Sequence, residues 1–357
     1  MVWFLEMVNG IFKFLLIEIL FSLNLYLLGN VPEIDYDYFE QDKSDLVSIE
    51  KFLGKVDFKD NLKERRLFIG IRNVAEPNAV QRLSRDELEK IKEINPIGVI
   101  LFRENFKEAD QTKELIDSLK QYLGSDIFIA VDEEGGLVNR VSENKKLGVY
   151  NFPSMESVGG TNDVHLAYKI GEILGKQLRR LGINVNMAPV ADVKFAPVSP
   201  LVNRTFGHLV YNVGLMVESF VEAIQRQGVS AVVKHFPGLG GTKVDTHKEI
   251  AFLPYSKNFL MGNNFVPFIF GREAKFIMIG HVLASKISKD ITSMSKDIVD
   301  IIRYNLNIDS MIITDAYDMG AIVNNFRIKD AIKKSLSSGI DIVLIPEGYQ
   351  KLNKNIK

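Results

Sequence analysis

Two hydrophobic patterns alternate along residues 66–346. The first is a short continuous apolar run: RLFIGIR (66–72), IGVILF (97–102), DIFIAVD (126–132), INVNMAPVADV (183–193), VSAVVKHFP (229–237), AKFIMIGH (274–281), SMIITDA (310–316) and GIDIVLIP (339–346). These runs lack clean apolar–polar alternation, which is how parallel strands covered on both faces read. The second pattern has a period near 3.6 residues and predicts amphipathic helices in SRDELEKIKEI, ADQTKELIDSLKQYL, HLAYKIGEILGKQLRRLG, GLMVESFVEAIQRQG, SKDIVDIIRYNL and RIKDAIKKSLSSG. Ser84 with Glu87 three residues on is a capping box, and several segments stop at glycine, as helix C-termini do. Eight strands interleaved with helices predict an α/β chain folded as a (β/α)8 barrel, with a doubly wound open sheet as the second topology. Only EGYQKLNKNIK follows Pro346, so the helix over the eighth strand is expected to be a turn or two and the barrel to end short.

The N-terminus follows neither pattern. FLLIEILFSLNLYLLG, residues 14–29, is almost wholly apolar apart from Glu18 and is preceded by Lys13. Its length is short for a spanning helix and suits a signal-peptide core or an interfacial anchor, against the plainer reading of a packed N-terminal helix. Residues 1–30 are therefore expected to be a leader, 31–60 an acidic linker and 61–357 the barrel. The chain is expected to be a monomer, located outside the cytoplasm or anchored to a membrane through residues 14–29, with a cytoplasmic location as the alternative.

Composition narrows the classes of function. Hydrophobic residues make up 46% and charged residues 25%, enough for a large core, and the net charge of −1 gives no electrostatic footprint for nucleic acid. The chain has no cysteine, which excludes disulfides, thiolate catalysis and cysteine-held zinc.

Chemistry in such barrels gathers at the C-terminal strand ends. There the chain places Asp132 with Glu133 and Glu134, Asn186 and Asp192 with Arg204 beyond them, Lys234-His235, His281, and Asp315. Each has a bland reading: Asp315 as a helix N-cap, Asp132–Glu134 as a solvated acidic turn, Lys234 as an ammonium reaching water, His281 as a satisfied rim histidine. Asp132, Glu133 and Glu134 could also offer oxygens to Mg²⁺ or Ca²⁺, and Asp318 competes with Asp315 as the functional acid. AVVKHFPGLGGTKVDTH (231–247) is harder to dismiss. Its glycines indicate a mobile or tightly folded loop. Gly241-Thr242-Lys243 is in the wrong order for a phosphate loop, and zinc on His235 and His247 would have only Asp245 as a local third ligand. Asp245-x-His247 instead offers a carboxylate that orients and charges an imidazole, suited to moving a proton near neutral pH.

KHFPGLGGTKVDTH, IAVDEEGGLVNRV, NMAPVADV, NRTFG and IITDAYDMGAI together resemble glycoside hydrolase family 3, in its branch of single-domain NagZ-type β-N-acetylhexosaminidases. The resemblance runs from about residue 60 to 346, with the five motifs in the family's order. It implies a (β/α)8 barrel that removes terminal β-linked N-acetylglucosamine, from peptidoglycan fragments or chitin-type oligosaccharides, with retention of configuration and without metal or organic cofactor. It implies Asp315 as nucleophile and His247 as general acid/base polarised by Asp245. It implies Asp132, Arg140, Arg204, Lys234 and His235 as the sugar subsite, with Lys234 and Arg204 expected to keep the Asp315 carboxyl ionised. The alternatives are a degenerate sugar-binding barrel, a GlcNAc phosphorylase, or a β-glucosidase of the same family. Leu239 and Gly241 stand where the family usually writes the His and Asp of PGHGDT, and Leu137 where it writes the Arg of EGGRV.

Overall fold

The computed structural model describes residues 65–72, 80–195, 201–242 and 244–346. The chain divides into two units, Met1–Val56 and Asp57–Lys357, and all described residues belong to the second. The expected leader, linker and final short helix lie outside the described residues.

All eight apolar runs become strands: β1 Leu67–Gly70, β2 Gly98–Leu101, β3 Phe128–Val131, β4 Val185–Asn186, β5 Ser230–Phe236, β6 Phe276–Ile279, β7 Met311–Ala316 and β8 Ile342–Ile345. Every neighbouring pair is parallel, and β1 closes on β8 with Leu67 opposite Val343 and Ile69 opposite Ile345. Closure excludes the open doubly wound sheet. The helices α1 Arg85–Ile94, α2 Ala109–Leu123, α3 Val164–Arg180 and α4 Val210–Arg226 follow β1 to β4. Two short helices, α5 Lys257–Gly262 and α6 Val266–Phe270, follow β5, while α7 Lys296–Asp300 runs into a π turn after β6 and α8 Ile328–Ser337 follows β7. At α1 the predicted box forms: the Ser84 hydroxyl accepts from the Glu87 N–H at 3.3 Å, and the Glu87 carboxylate accepts from the Ser84 N–H at 2.8 Å. The α5 and α6 segment showed no helical period because each piece is under two turns, with Pro267 starting the second.

The barrel interior is filled from the bottom. Phe68, Phe128 and Phe276 meet with ring centroids 5.2–6.1 Å apart, and Ile100, Val232, Met278 and Ile313 pack around them. Gly98 makes room for this plug, since a Cβ there would lie 2.3 Å from the Phe68 ring. Ile100, Met278 and Leu344 of this cluster also form part of the wall of a cavity at the C-terminal mouth. β4 is the shortest strand of the barrel. Pro189 cannot donate to a ladder, and the Asn186 amide bonds the main-chain N–H and C=O of Glu133, at 3.0 and 2.9 Å, as a strand would.

Candidate active site

The mouth holds a cavity of about 520 Å³ whose wall includes Asp132, Arg140, Arg204, Lys234, His235, His247 and Asp315. Residues from six separate stretches of chain thus face one space. Asp245 does not line it but stands behind His247.

Asp315 projects from the end of β7. Burial alone would raise its pKa, but His235, His281 and the N–H of Ala316, which donates to it at 2.8 Å, outweigh that and hold the carboxyl below its ordinary value. Lys234 and Arg204, expected to do this, are engaged elsewhere. Lys234 pairs with Asp132 at 2.8 Å and Glu134 at 2.6 Å, and Arg204 grips Glu134 with two bonds of 2.8 and 2.9 Å. Glu134 is 1% exposed, and the two cations overcome burial to hold its carboxyl far below the usual range. Of the acidic turn, Glu133 and Glu134 are therefore buried, while Asp132 stays partly exposed. Glu133 is also enclosed, its carboxylate accepting from the Val141 N–H at 2.6 Å and from Ser142. Burial pushes its pKa up. With these bonds made, Glu133 and Glu134 face protein donors in place of the cation proposed for them.

His281 is fully buried beneath Asp315. Its Nε2 donates to the Ala316 carbonyl at 3.0 Å and its Nδ1 meets the Ser293 hydroxyl at 2.8 Å, so both ring nitrogens are hydrogen-bonded. Burial depresses its pKa. Its ring centroid stands 5.5 Å from that of Tyr317, whose hydroxyl bonds Ser335, which in turn donates to the Ser293 carbonyl. Three consecutive residues, Asp315 to Tyr317, are thereby held on one buried polar network.

The glycine loop after β5 is packed at its root. A Cβ on Gly240 would fall 1.7 Å from the Val193 carbonyl oxygen, and one on Gly241 would press Tyr255 at 2.9 Å. Leu239 is buried with Leu201, Ala251 and Val282, so the residue that departs from PGHGDT points into an apolar cluster. Between the two readings of these glycines, the tightly folded one describes residues 238–242. The exposed part is further on, where the His247 side chain is 68% exposed and its Nδ1–H donates to Asp245 at 2.8 Å. The Asp245 oxygen also accepts the His247 main-chain N–H at 3.0 Å, and these bonds outweigh partial burial to lower the Asp245 pKa. This arc is tied to the loop beyond β7: Gly320 N–H donates to the His247 carbonyl at 2.9 Å, Ala321 N–H to that of Thr246 at 3.3 Å, and the Asn324 amide to that of Lys248 at 3.1 Å.

Several site residues escaped the sequence reading. Arg72, Phe102 and Glu104 wall the cavity from the ends of β1 and β2, with Arg72 2.7 Å from Glu104 and 4.5 Å above the Phe102 ring. The strand-end rule that found the others would have found these. Glu134 and Asp192 were visible only as acids near strand ends. Asp318 also lines the cavity, while Leu137 is exposed on the turn of a small hairpin after β3.

The arrangement offers a carboxylate held below its ordinary pKa, an imidazole hydrogen-bonded to a second carboxylate, and a facing wall of ion-paired donors. A carboxylate and an imidazole facing such a wall are groups suited to the chemistry of a glycosidic bond. Comparison with known proteins agrees. Beta-hexosaminidase A of Pseudoalteromonas piscicida is 31% identical over 278 residues, covering 70% of this chain, which spans 45% of that protein's length. The Beta-hexosaminidase of Glaesserella parasuis serovar 5 is 28% identical over 284 residues, covering 77% of this chain and 82% of its own. Among solved structures, a glycoside hydrolase family 3 β-N-acetylglucosaminidase from Paenibacillus sp. str. FPU-7 superposes with a TM-score of 0.73 at 29% identity, covering 81% of this chain and 55% of that one. NagZ from Neisseria gonorrhoeae superposes with a TM-score of 0.72 at 25% identity, covering 82% of this chain and 84% of its own. Residues 60–357 match the glycosyl hydrolase family 3 N-terminal domain, and the chain belongs to that family.

Proposed function

We propose that the chain is a retaining exo-β-N-acetylglucosaminidase acting on peptidoglycan fragments or chitin-type oligosaccharides. The observation that carries this reading is one cavity lined by both the Asp315 carboxylate and the His247 imidazole, with Asp245 behind the latter. In the first step Asp315 attacks the anomeric carbon as His247 Nε2 gives its proton to the leaving oxygen. The Asp245 carboxylate steadies the imidazolium beforehand through the Nδ1–H bond. In the second step His247, now neutral, takes a proton from water, which opens the glycosyl ester with net retention. Asp132, Lys234, Arg204, Arg140 and His235 would hold the sugar hydroxyls from the opposite wall. A histidine donor keeps a second negative charge away from Asp315, so both residues can be in their working states at one pH.

The apolar stretch 14–29 supports placing the enzyme outside the cytoplasm or at a membrane surface. No helix among the described residues is long and apolar enough to cross a membrane, and that stretch lies outside them. Fractionation of cells expressing the chain with and without residues 1–30 tests the placement. Release of p-nitrophenol from its β-N-acetylglucosaminide tests the activity. Turnover lost in both Asp315→Asn and His247→Ala supports the assignment, and unchanged turnover in Asp315→Asn removes Asp315 as nucleophile.

A further inference from the structure

The molecule contains a second, buried carboxylate–imidazole pair, whose carboxylate, Asp192, has no part in the reaction above. Asp192 and His235 are 0% and 5% exposed. Asp192 Oδ2 accepts from His235 Nδ1 at 2.7 Å and from the His235 main-chain N–H at 3.2 Å, while its Oδ1 accepts the N–H of Leu239. One carboxylate therefore takes three N–H donors, from the end of β5 and the root of the glycine loop. With Nδ1 carrying the hydrogen toward Asp192, the remaining ring nitrogen, Nε2, is left for the cavity that His235 lines.

We propose that Asp192 is a positioning residue that fixes the Nδ1–H form of His235, so that Nε2 is presented to a hydroxyl of the bound sugar. The proposal deepens the reading of the cavity as a sugar site and rests on it for the identity of the ligand. A carboxylate suits three converging donors and an amide does not: Asn at position 192 would turn an NH₂ group toward either His235 Nδ1–H or Leu239 N–H. The ring would then exchange its hydrogen to Nε2, as happens when the orienting carboxylate of a catalytic triad is replaced by its amide. In that form Nε2 no longer accepts a hydroxyl, and the sugar meets a donor where it had an acceptor. Partners that orient a metal-ligating imidazole in this way are typically worth about 10–100-fold, and an effect on the same order is expected here.

The test is ¹⁵N NMR of the histidine rings at a pH where they are neutral, with the His235 signals assigned by His235→Gln, together with kinetics on p-nitrophenyl β-N-acetylglucosaminide. The proposal predicts Nδ1–H at His235 in the wild type, Nε2–H in Asp192→Asn, and a kcat/KM lowered by about 10–100-fold in that variant, mostly through KM. Nε2–H in the wild type overturns it, and so does a folded Asp192→Asn that keeps the wild-type tautomer or the wild-type KM. Should Asp192→Asn fail to fold, the wild-type tautomer alone decides. A wild type without activity on the glucosaminide defeats the proposed function and leaves the tautomer measurement standing, so the two failures are told apart.

Discussion

Gly320 offers a way to move His247 without touching it. A Cβ built there would lie 2.3 Å from the Lys248 carbonyl oxygen and 2.8 Å from that of His247, where contacts under 3.0 Å essentially do not occur. The loop carrying His247 and the turn at Gly320 must therefore separate by at least about 0.7 Å in Gly320→Ala. The separation also stretches the Gly320–His247 and Ala321–Thr246 hydrogen bonds, now 2.9 and 3.3 Å. Those two bonds are worth about 0.5–1.5 kcal/mol each, and alanine favours the one-turn helix Gly320–Val323 that this residue opens, so the fold should lose little. Catalysis is less forgiving, because misplacing a proton donor by about 1 Å costs on the order of 100-fold. The expected outcome is a melting temperature within a few degrees of wild type and a kcat on p-nitrophenyl β-N-acetylglucosaminide lowered by about 100-fold. Gly240→Ala is the contrasting variant: its Cβ meets the Val193 carbonyl at 1.7 Å in the packed root, so there stability should fall first. A folded Gly320→Ala with wild-type kcat would refute the idea that the β7 loop sets the position of His247.

Glu134→Gln should destabilise by about 3–5 kcal/mol in urea unfolding, since it leaves Lys234 and Arg204 buried with one carboxylate fewer. Because the folded pKa of Glu134 is depressed, its contribution is present above the unfolded value near 4.3 and fades as pH falls below it, so the variant should also show a shallower acid limb. His281 works over a different window. Burial lowers its folded pKa, so the unfolded chain takes up a proton first, and stability should decline as pH drops through about 6.5. His281→Gln should flatten the stability curve below about pH 6.5, and an unchanged slope there would assign it to other groups. Turnover should be insensitive to dialysis against a chelator, since the proposed steps use only Asp315, His247 and Asp245, and a loss restored by added metal would contradict them.

Much of this architecture was legible because the barrel is built from local patterns. The eight apolar runs and the capped, periodic helices each depend on neighbours in sequence, and each emerged at its place. The α5–α6 region was not legible, because helices under two turns carry no period to read. The same divide runs through the site. Asp315, Lys234 and His235 announce themselves as polar residues ending apolar runs, a local signal. Which cation serves which acid is not local: Lys234, Arg204 and Glu134 are brought together across 70 to 100 residues, so the pairing that removes Lys234 and Arg204 from Asp315 could not be read beforehand. The glycines of 238–241 were ambiguous for a similar reason, since only the fold shows Val193 and Tyr255 pressed against them.

The central claim is that Asp315 becomes covalently glycosylated. In His247→Ala, a substrate with a good leaving group needs no proton donor to form the intermediate, while water lacks a base to remove it. Acid quenching of that variant during turnover of p-nitrophenyl β-N-acetylglucosaminide, followed by peptide mass mapping, should find one N-acetylglucosaminyl group on Asp315. An adduct on Asp318 would contradict the account, and so would an α-configured first product from the wild type.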